Sequence, residues 1–245
     1  MRRKLADNYK RIRERICAAC ERAGRRPDDV RLVAVTKTVE IDVIRTAIEA
    51  GLTDLGENRV QELVKRAGMV REHLNRRRTI EQDHNVPTPC WHMIGHLQRN
   101  KVRTVLPWTD MIHSVDSLRL AEEISDQATK LEKNIPVLIE VNTSGEKTKF
   151  GIAVGAVSYL VEHIVHLPNI KLVGLMTMAP LVDDPETVRP AFTRLRELFE
   201  DIQKENIAGP EFTELSMGMT NDFEAAIEEG ATMVRIGRGI FEGVT

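Results

Sequence analysis

The first apolar run of this chain is Arg31-Leu32-Val33-Ala34-Val35-Thr36, and Lys37 follows it directly. Seven similar runs cover residues 53–56, 91–95, 111–115, 136–142, 171–178, 214–218 and 233–237. Helical patterns lie between most of them, at residues 40–50, 59–75, 118–133, 156–165, 185–205 and 222–229. This alternation predicts a parallel sheet, because parallel strands require crossover connections. Eight strands in about 215 residues favour a single (β/α)8 TIM-type barrel over an open doubly wound sheet.

The composition predicts an ordinary globular chain. Hydrophobic residues make up 42% and charged residues 29% of the chain, values that are typical of soluble proteins. A formal net charge of -2 provides no attraction to nucleic acid or membrane surfaces. No apolar run approaches the roughly 18 residues of a membrane span, and the N-terminus has no apolar signal segment. We therefore expect one cytoplasmic domain covering residues 1–245, with no nucleic-acid or membrane partner, and favour a monomer.

Two segments fall outside the alternating pattern. Residues 3–23 carry apolar side chains three and four apart, which predicts an amphipathic helix that ends at Gly24. Its arginines and lysines are interspersed and lack the aromatic residues that stack on bases, so a solvated surface is favoured over an RNA-binding one. Residues 71–90 are polar and end in two prolines. We predict the end of a helix and then an irregular insertion there.

The cysteines and histidines do not predict a metal centre. Cys17 and Cys20 have CxxC spacing, but they lie in the predicted N-terminal helix, and no second pair completes a zinc site. His92 and His96 lie on a strand and its turn, where the geometry of a helical histidine pair does not apply. We therefore expect no metal ligands.

The predicted strand tips are rich in polar residues and glycine, and a barrel places its site there. In chain order the tips are Lys37, Glu57-Asn58, Gly95-His96-Leu97-Gln98, His113-Ser114, Asn142, Met176-Thr177-Met178, Ser216-Met217-Gly218 and Arg235-Ile236-Gly237. A lysine at such a tip can form an imine with an aldehyde once desolvation or a neighbouring cation lowers the pKa of its amine. The alternative is a lysine that only faces solvent.

The last two tips predict a phosphate site, because barrels often bind phosphate through the loops after strands seven and eight. Ser216 offers a hydroxyl, and Gly218 and Gly237 allow backbone N–H groups to approach an anion closely. The helix after Ser216 adds a favourable dipole at its N-terminus, which Thr220 or Asn221-Asp222 could cap. With Lys37, these tips are suited to an aldehyde cofactor that carries a phosphate.

Seven segments of the chain share one resemblance. They are Ala34-Val35-Thr36-Lys37 and residues 56–62, 91–101, 113–116, 174–178, 216–220 and 234–237. Together they resemble the pyridoxal-phosphate homeostasis protein family, from about Leu5 to Glu242. The resemblance implies a single barrel similar to the N-terminal domain of alanine racemase. It also implies a protein that binds pyridoxal 5'-phosphate as an imine, has no established turnover, and acts in vitamin B6 and amino-acid homeostasis.

The resemblance implies roles for three residues around the cofactor ring. Lys37 would hold the aldehyde, Arg235 would face the pyridine nitrogen, and Asn58 would lie beside the ring. A permanently charged arginine disfavours protonation of that nitrogen, so the cofactor would be a weaker electron sink than in enzymes that place a carboxylate there. Binding without efficient catalysis is the consistent interpretation, unless Arg235 points outward or pairs with a carboxylate.

The resemblance assigns the phosphate to Ser216 and to the backbone of Gly237 and Arg238. The chain departs from the family pattern at residues 71–90. It also departs at residues 241–245, which lack the usual glycine and arginine after the phenylalanine. Neither departure touches the imine or phosphate contacts, so both concern the rim of the site.

Two enzymatic alternatives to a cofactor carrier remain open. An amino-acid racemase with the same cofactor would need an acid or base on each face of the ring, commonly lysine and tyrosine. The two tyrosines, Tyr9 and Tyr159, lie on predicted helices away from the strand tips. A class I aldolase would use Lys37 without a cofactor and bind a sugar phosphate. For a carrier, free amino acids and apoenzymes that depend on pyridoxal phosphate are the further candidate partners.

Overall fold

The eight apolar runs form eight parallel strands that close into a barrel. The computed structural model describes residues 1–80, 82, 85, 87–146, 149–180 and 184–244. The barrel strands are Arg31–Val35 (β1), Asp54–Glu57 (β2), Cys90–Met93 (β3), Met111–Val115 (β4), Ile135–Asn142 (β5), Ile170–Met176 (β6), Glu214–Ser216 (β7) and Met233–Ile236 (β8). Each strand pairs with the next, and β8 pairs with β1. The predicted (β/α)8 barrel is therefore confirmed.

The closing pair is in continuous register over the first four residues of β1. Arg31 pairs with Met233 and Ala34 with Ile236. On its other side β1 pairs with β2, with Val35 beside Gly56. An additional two-residue strand that the sequence did not predict, Ile152–Ala153, pairs with the end of β5.

Nine helices and several short 3-10 turns surround the described strands. The helices are Arg2–Arg22 (α1), Ile41–Glu49 (α2), Val60–Thr79 (α3), Val102–Val105 (α4), Leu118–Lys130 (α5), Val157–Ile164 (α6), Arg189–Glu205 (α7), Phe223–Glu228 (α8) and Arg238–Phe241 (α9). Within the described ranges, none of these helices has the length and apolar character needed to cross a membrane.

The predicted N-terminal helix is confirmed as α1, which packs against α8 and α9. Leu5 and Ile16 are fully buried, as the spacing of three and four predicts. Asn8 on the same face donates hydrogen bonds to the carbonyl oxygens of Ile240 and Glu242, at 2.9 and 3.0 Å. The N-terminal helix thereby fastens the segment that follows the last strand.

The helix α3 is longer than the sequence predicts, and this corrects the boundary of the expected insertion at residues 71–90. Residues 71–79 are helical, because Val70 and Leu74 still bury their side chains in the core and Arg71 stacks on Trp108 at 3.8 Å. A polar stretch can remain helical when its few apolar residues recur on one face. The expected irregular part falls partly on Glu81, Asp83, His84 and Val86, which lie outside the described residues.

Two strand tips approach so closely that a glycine is required between them. Gly95 follows β3, and a Cβ atom built on it would lie 2.2 Å from the carbonyl oxygen of Asn58. That contact is with backbone and cannot relax by a side-chain rotation. The tip of β3 therefore supports the backbone of Asn58 at the end of β2.

We predict that Gly95→Ala lowers the free energy of unfolding by about 1–3 kcal/mol, because the new methyl group must displace the Asn58 backbone. Gly155→Ala is the matched control, since nothing lies within 4 Å of its added Cβ atom. The control should be neutral or should gain about 0.4–1 kcal/mol. Urea unfolding of both variants measures the difference, and equal stabilities would contradict the contact.

Candidate functional site

Lys37 lies exposed at the carboxyl end of β1. The residue before it, Thr36, is fully buried and donates a hydrogen bond from its hydroxyl to the Glu57 carboxylate at the end of β2. Arg66 from α3 donates to the same carboxylate, with its Nη1 2.6 Å from Oε1, and also to the Thr36 carbonyl oxygen. Hydrogen bonds thus anchor the backbone that carries Lys37 to the end of β2 and to α3.

The carboxylate in this anchor is fully buried. Burial raises the pKa of Glu57, and its hydrogen bond from Thr36 and the Arg66 guanidinium partly oppose that rise. A buried carboxylate with these partners costs less to bury than an unpaired one. Glu57 and Arg66 therefore serve to position the strand tip rather than to face the mouth of the barrel.

The strand order puts three predicted site residues on the tips next to the one that carries Lys37. Lys37 and half-buried Asn58 each follow the Val35–Gly56 pair by two residues. On the other side, Val35 is close to Gly237, whose added Cβ atom would lie 3.2 Å from the Val35 carbonyl oxygen. Exposed Arg238 is the next residue, at the start of α9.

The tips of β7 and β8 form a narrow turn region. Gly218 has φ +92°, and a Cβ atom there would lie 2.6 Å from the Cβ of Ala226 in α8. The Asp222 carboxylate accepts a hydrogen bond from the Met219 N–H and so closes this turn. Thr220 lies between the two tips, with its Oγ1 3.4 Å from the Gly239 nitrogen. Backbone, rather than side chains, dominates this part of the mouth.

Arg235 points into the barrel and is almost fully buried, with 3% of its surface exposed. Its Nη1 donates to Ser216 Oγ at 2.6 Å, and its Nη2 donates to the Thr177 carbonyl oxygen at 2.8 Å. No carboxylate among the described residues lies within ion-pair distance of it. Burial lowers the pKa of Arg235 to about 10, although Glu140 and Asp222 oppose this shift. The guanidinium therefore keeps its charge at neutral pH.

Glu140 is a buried acid that the sequence analysis missed. It lies on β5, level with Met176 and, one strand further, with Ser216. Its side chain is 2% exposed, and its Oε2 has no hydrogen-bond partner among the described residues. Burial, helped by the Asp116 charge and opposed by Arg235, raises the pKa of Glu140 to about 7. The signal was available, because an acid occurs within an otherwise apolar strand.

Ser216 and two histidines also lie inside the barrel. Ser216 is fully buried, and its Oγ is 2.9 Å from His113 Nδ1. His113 Nε2 is in turn 2.9 Å from His92 Nδ1, and both rings are fully buried. The sequence analysis weighed these histidines as strand-tip residues or metal ligands. It could not show that they lie beside each other.

The amino-terminal end of the barrel holds a second group of side chains. The ligand atoms of Asp54, Cys90 and His92 all lie within 4.8 Å of one another. Asp54 already accepts a hydrogen bond from His92, and the Arg31 guanidinium lies 3.8 Å from the same carboxylate oxygen. Burial and the nearby carboxylates raise the pKa of Cys90 to about 12, so its thiol is protonated at neutral pH.

The chain matches the family described as the alanine racemase N-terminal domain over residues 3–243. It is 44% identical over 236 residues to the pyridoxal phosphate homeostasis protein of Aquifex aeolicus (strain VF5), with 96% of each chain covered. The structure is similar to that of an unknown protein from Bifidobacterium adolescentis, with a TM-score of 0.88, 41% identity, and 98% and 95% of the two chains covered. PipY of Synechococcus elongatus PCC7942, solved with PLP bound, has a TM-score of 0.80 and 29% identity, with 97% and 99% covered.

We predict that Glu140→Gln becomes more stable relative to the wild type as the pH rises. The folded pKa of Glu140 lies above its ordinary value of 4.5. Its contribution to stability is therefore complete below that value and is lost as the pH rises through about 7. A shift of this size corresponds to roughly 3 kcal/mol.

Denaturant unfolding of the cofactor-free protein at about pH 5 and about pH 8.5 measures this effect. The difference in unfolding free energy between variant and wild type should increase between the two conditions. Because both proteins share every other titrating group, a constant difference would show that Glu140 ionises as an ordinary carboxyl.

Proposed function

This chain belongs to the pyridoxal phosphate homeostasis protein family, and we propose that it binds pyridoxal 5'-phosphate as an imine on Lys37 without turning over a substrate. The observation that carries the proposal is the position of Lys37, which is exposed just beyond β1, the strand that pairs with β2 on one side and with β8 on the other. PipY, a protein of similar fold, has been solved with PLP bound, which supports the same cofactor here.

The groups in the mouth fit the three functional parts of this cofactor. An exposed lysine amine is suited to an aldehyde, and the buried Arg235 cation is suited to the electron pair of a pyridine nitrogen. The glycine-lined tips of β7 and β8 leave no room for a Cβ atom at Gly218. Glycine has no Cβ atom, so backbone N–H groups at these tips can also approach a phosphate closely.

We assign the cofactor contacts as follows. Lys37 forms the imine, and Asn58 lies beside the ring. Gly237 and Arg238 present the first N–H groups of α9, which have no partner within that helix. Ser216 is the remaining residue that the family resemblance assigns to the phosphate.

Arg235 limits the reactivity of the bound cofactor through its charge and its fixed position. When bound, pyridoxal phosphate supplies an electron sink whose strength depends on protonation of the ring nitrogen. A guanidinium held by Ser216 and Thr177 opposes that protonation. The site therefore binds the ring without activating it strongly, which agrees with a role in vitamin B6 homeostasis.

The second candidate function is an amino-acid racemase, and the position of Glu140 is the observation that favours it. Tyr9 and Tyr159 are on α1 and α6, and the Tyr159 side chain is 60% exposed, so neither faces the mouth. Glu140, in contrast, is an acid close to Arg235 whose Oε2 has no hydrogen-bond partner in the described part of the chain. It could exchange a proton at neutral pH, where racemisation needs a second acid or base.

The partners of a carrier follow from imine chemistry. Free amino acids can exchange with a lysine imine because their amines compete for the same aldehyde. Apoenzymes that depend on pyridoxal phosphate would receive the released cofactor. We propose both as partners of the mouth and propose a monomer in the cytoplasm, with no contact to nucleic acid or membrane.

We predict that Lys37→Ala abolishes covalent attachment and leaves stability within about 0.5 kcal/mol, because an exposed tip lysine contributes little to the core. Borohydride reduction of the protein loaded with pyridoxal phosphate, followed by peptide mapping, measures the attachment. Lys149→Ala is the control and should keep the label on Lys37. A pyridoxyl group on Lys149 instead would overturn the assignment.

We also predict negligible racemase and transaminase turnover. Holoprotein incubated with single-enantiomer amino acids in deuterated water should leave the α-proton in place, although amines can still change the absorbance of the cofactor. Exchange at about one per second or faster would mean an enzyme. Loss of that exchange in Glu140→Gln would then identify Glu140 as the missing acid.

A further inference from the structure

A continuous line of hydrogen bonds crosses the inside of the barrel from its amino-terminal end to the mouth. Asp54 Oδ1 lies 3.1 Å from His92 Nε2, and His92 Nδ1 lies 2.9 Å from His113 Nε2. His113 Nδ1 lies 2.9 Å from Ser216 Oγ, which accepts a 2.6 Å bond from Arg235. Each of the five side chains comes from a different strand. Only barrel closure can bring them into line.

The Asp54 carboxylate at one end of the line determines which nitrogen of the His92 ring carries a proton. A carboxylate only accepts hydrogen bonds, so His92 donates to Asp54 from Nε2. Burial lowers the pKa of His113 well below its usual range, and the neighbouring His92 ring and the Arg235 and Arg31 charges act in the same direction. His113 is therefore neutral and carries one N–H.

The remaining orientations follow when His92 donates from Nε2 alone. Its Nδ1 is then an acceptor, so His113 donates to His92 from its own Nε2. His113 Nδ1 is then an acceptor, and the Ser216 hydroxyl donates to it. The Ser216 oxygen accepts from Arg235, whose other nitrogen donates to the Thr177 carbonyl. In this arrangement every ring nitrogen and the hydroxyl have a partner, as buried polar groups require.

We propose that His92 and His113 are positioning residues, each of which donates a hydrogen bond from Nε2. They turn the Ser216 hydroxyl toward the barrel interior and thereby hold the Arg235 guanidinium beneath the mouth. The consequence for the cofactor rests on the proposed function. Ser216 then supports the partner of the ring nitrogen, and its hydroxyl proton is not available to the phosphate.

A cation at the amino-terminal end is the competing arrangement. Asp54, Cys90 and His92 offer ligand atoms to a metal ion, but a metal would need the unprotonated Nε2 of His92. The Arg31 guanidinium, 3.8 Å from Asp54, places a positive charge at the same point. The line of hydrogen bonds and a metal ion are therefore mutually exclusive at His92, and one measurement separates them.

The first test is nitrogen NMR of the cofactor-free, histidine-labelled protein. Both buried rings should give the Nε2–H tautomer. An Nδ1–H tautomer at His113, or a cationic His92, would reverse the line and overturn the proposal. Added zinc should leave the His92 signals unchanged, and a shift of its Nε2 would establish the metal site instead.

The second test asks whether His113 acts through Ser216 on Arg235. His113→Gln can still accept from Ser216 and donate to His92, whereas His113→Leu can do neither. Hydrogen exchange of the Arg235 side-chain N–H groups should accelerate at least about tenfold in the Leu variant, as loss of one hydrogen bond to a charged group implies. The Gln variant should restore protection. Equal exchange in wild type and Leu variant would overturn the positioning role.

Cofactor titration separates this inference from the proposed function. If the wild type binds pyridoxal phosphate, the Leu variant should bind it more weakly and Gln should recover part of the affinity. Unchanged affinity in the Leu variant would overturn the link to the ring nitrogen. If the wild type does not bind it, the proposed function fails, and the NMR and exchange results still decide the line of hydrogen bonds.

Discussion

The pairing of the last strand with the first is the constraint on which the rest of the structure depends. The β8–β1 register brings Gly237 against the carbonyl of Val35 and so places the last glycine tip beside Lys37. These residues are 200 positions apart in the chain. A parallel barrel satisfies the backbone of every barrel strand on both sides, which leaves no edge and makes the arrangement of the tips rigid.

Charge inside the barrel is the second determinant of the site. The interior contains a cluster of apolar side chains, Met111, Leu138, Met176 and Met233, and beside it a polar line that ends at Arg235. A buried cation without an ion pair is stable only if its donors are used. Here Ser216 and Thr177 accept from it, and Glu140 lies close enough to influence its pKa. The barrel thus holds a fixed positive charge beneath an exposed lysine.

This arrangement supports the proposed function, in which the protein binds a reactive cofactor and restrains its chemistry. Enzymes gain rate from groups aimed at the developing charge of a transition state. In the proposed function, the mouth instead offers a cation to the ring nitrogen and backbone to the phosphate, both of which stabilise the bound cofactor itself. Glu140 is a described group in this region whose pKa, about 7, is suited to proton transfer. Substitution of Glu140 therefore tests the distinction between carrier and enzyme.

The sequence by itself determined the barrel, the eight strands, and the tips at which Lys37, Asn58 and the late glycines occur, because periodicity and strand ends are local properties of the chain. It did not determine the helical extent of residues 71–79, which depends on contacts of Val70 and Leu74 with the core. It also could not reveal the line through the two buried histidines or the raised pKa of Glu140. Those features depend on distances between strands and on burial, and both exist only after the barrel has closed.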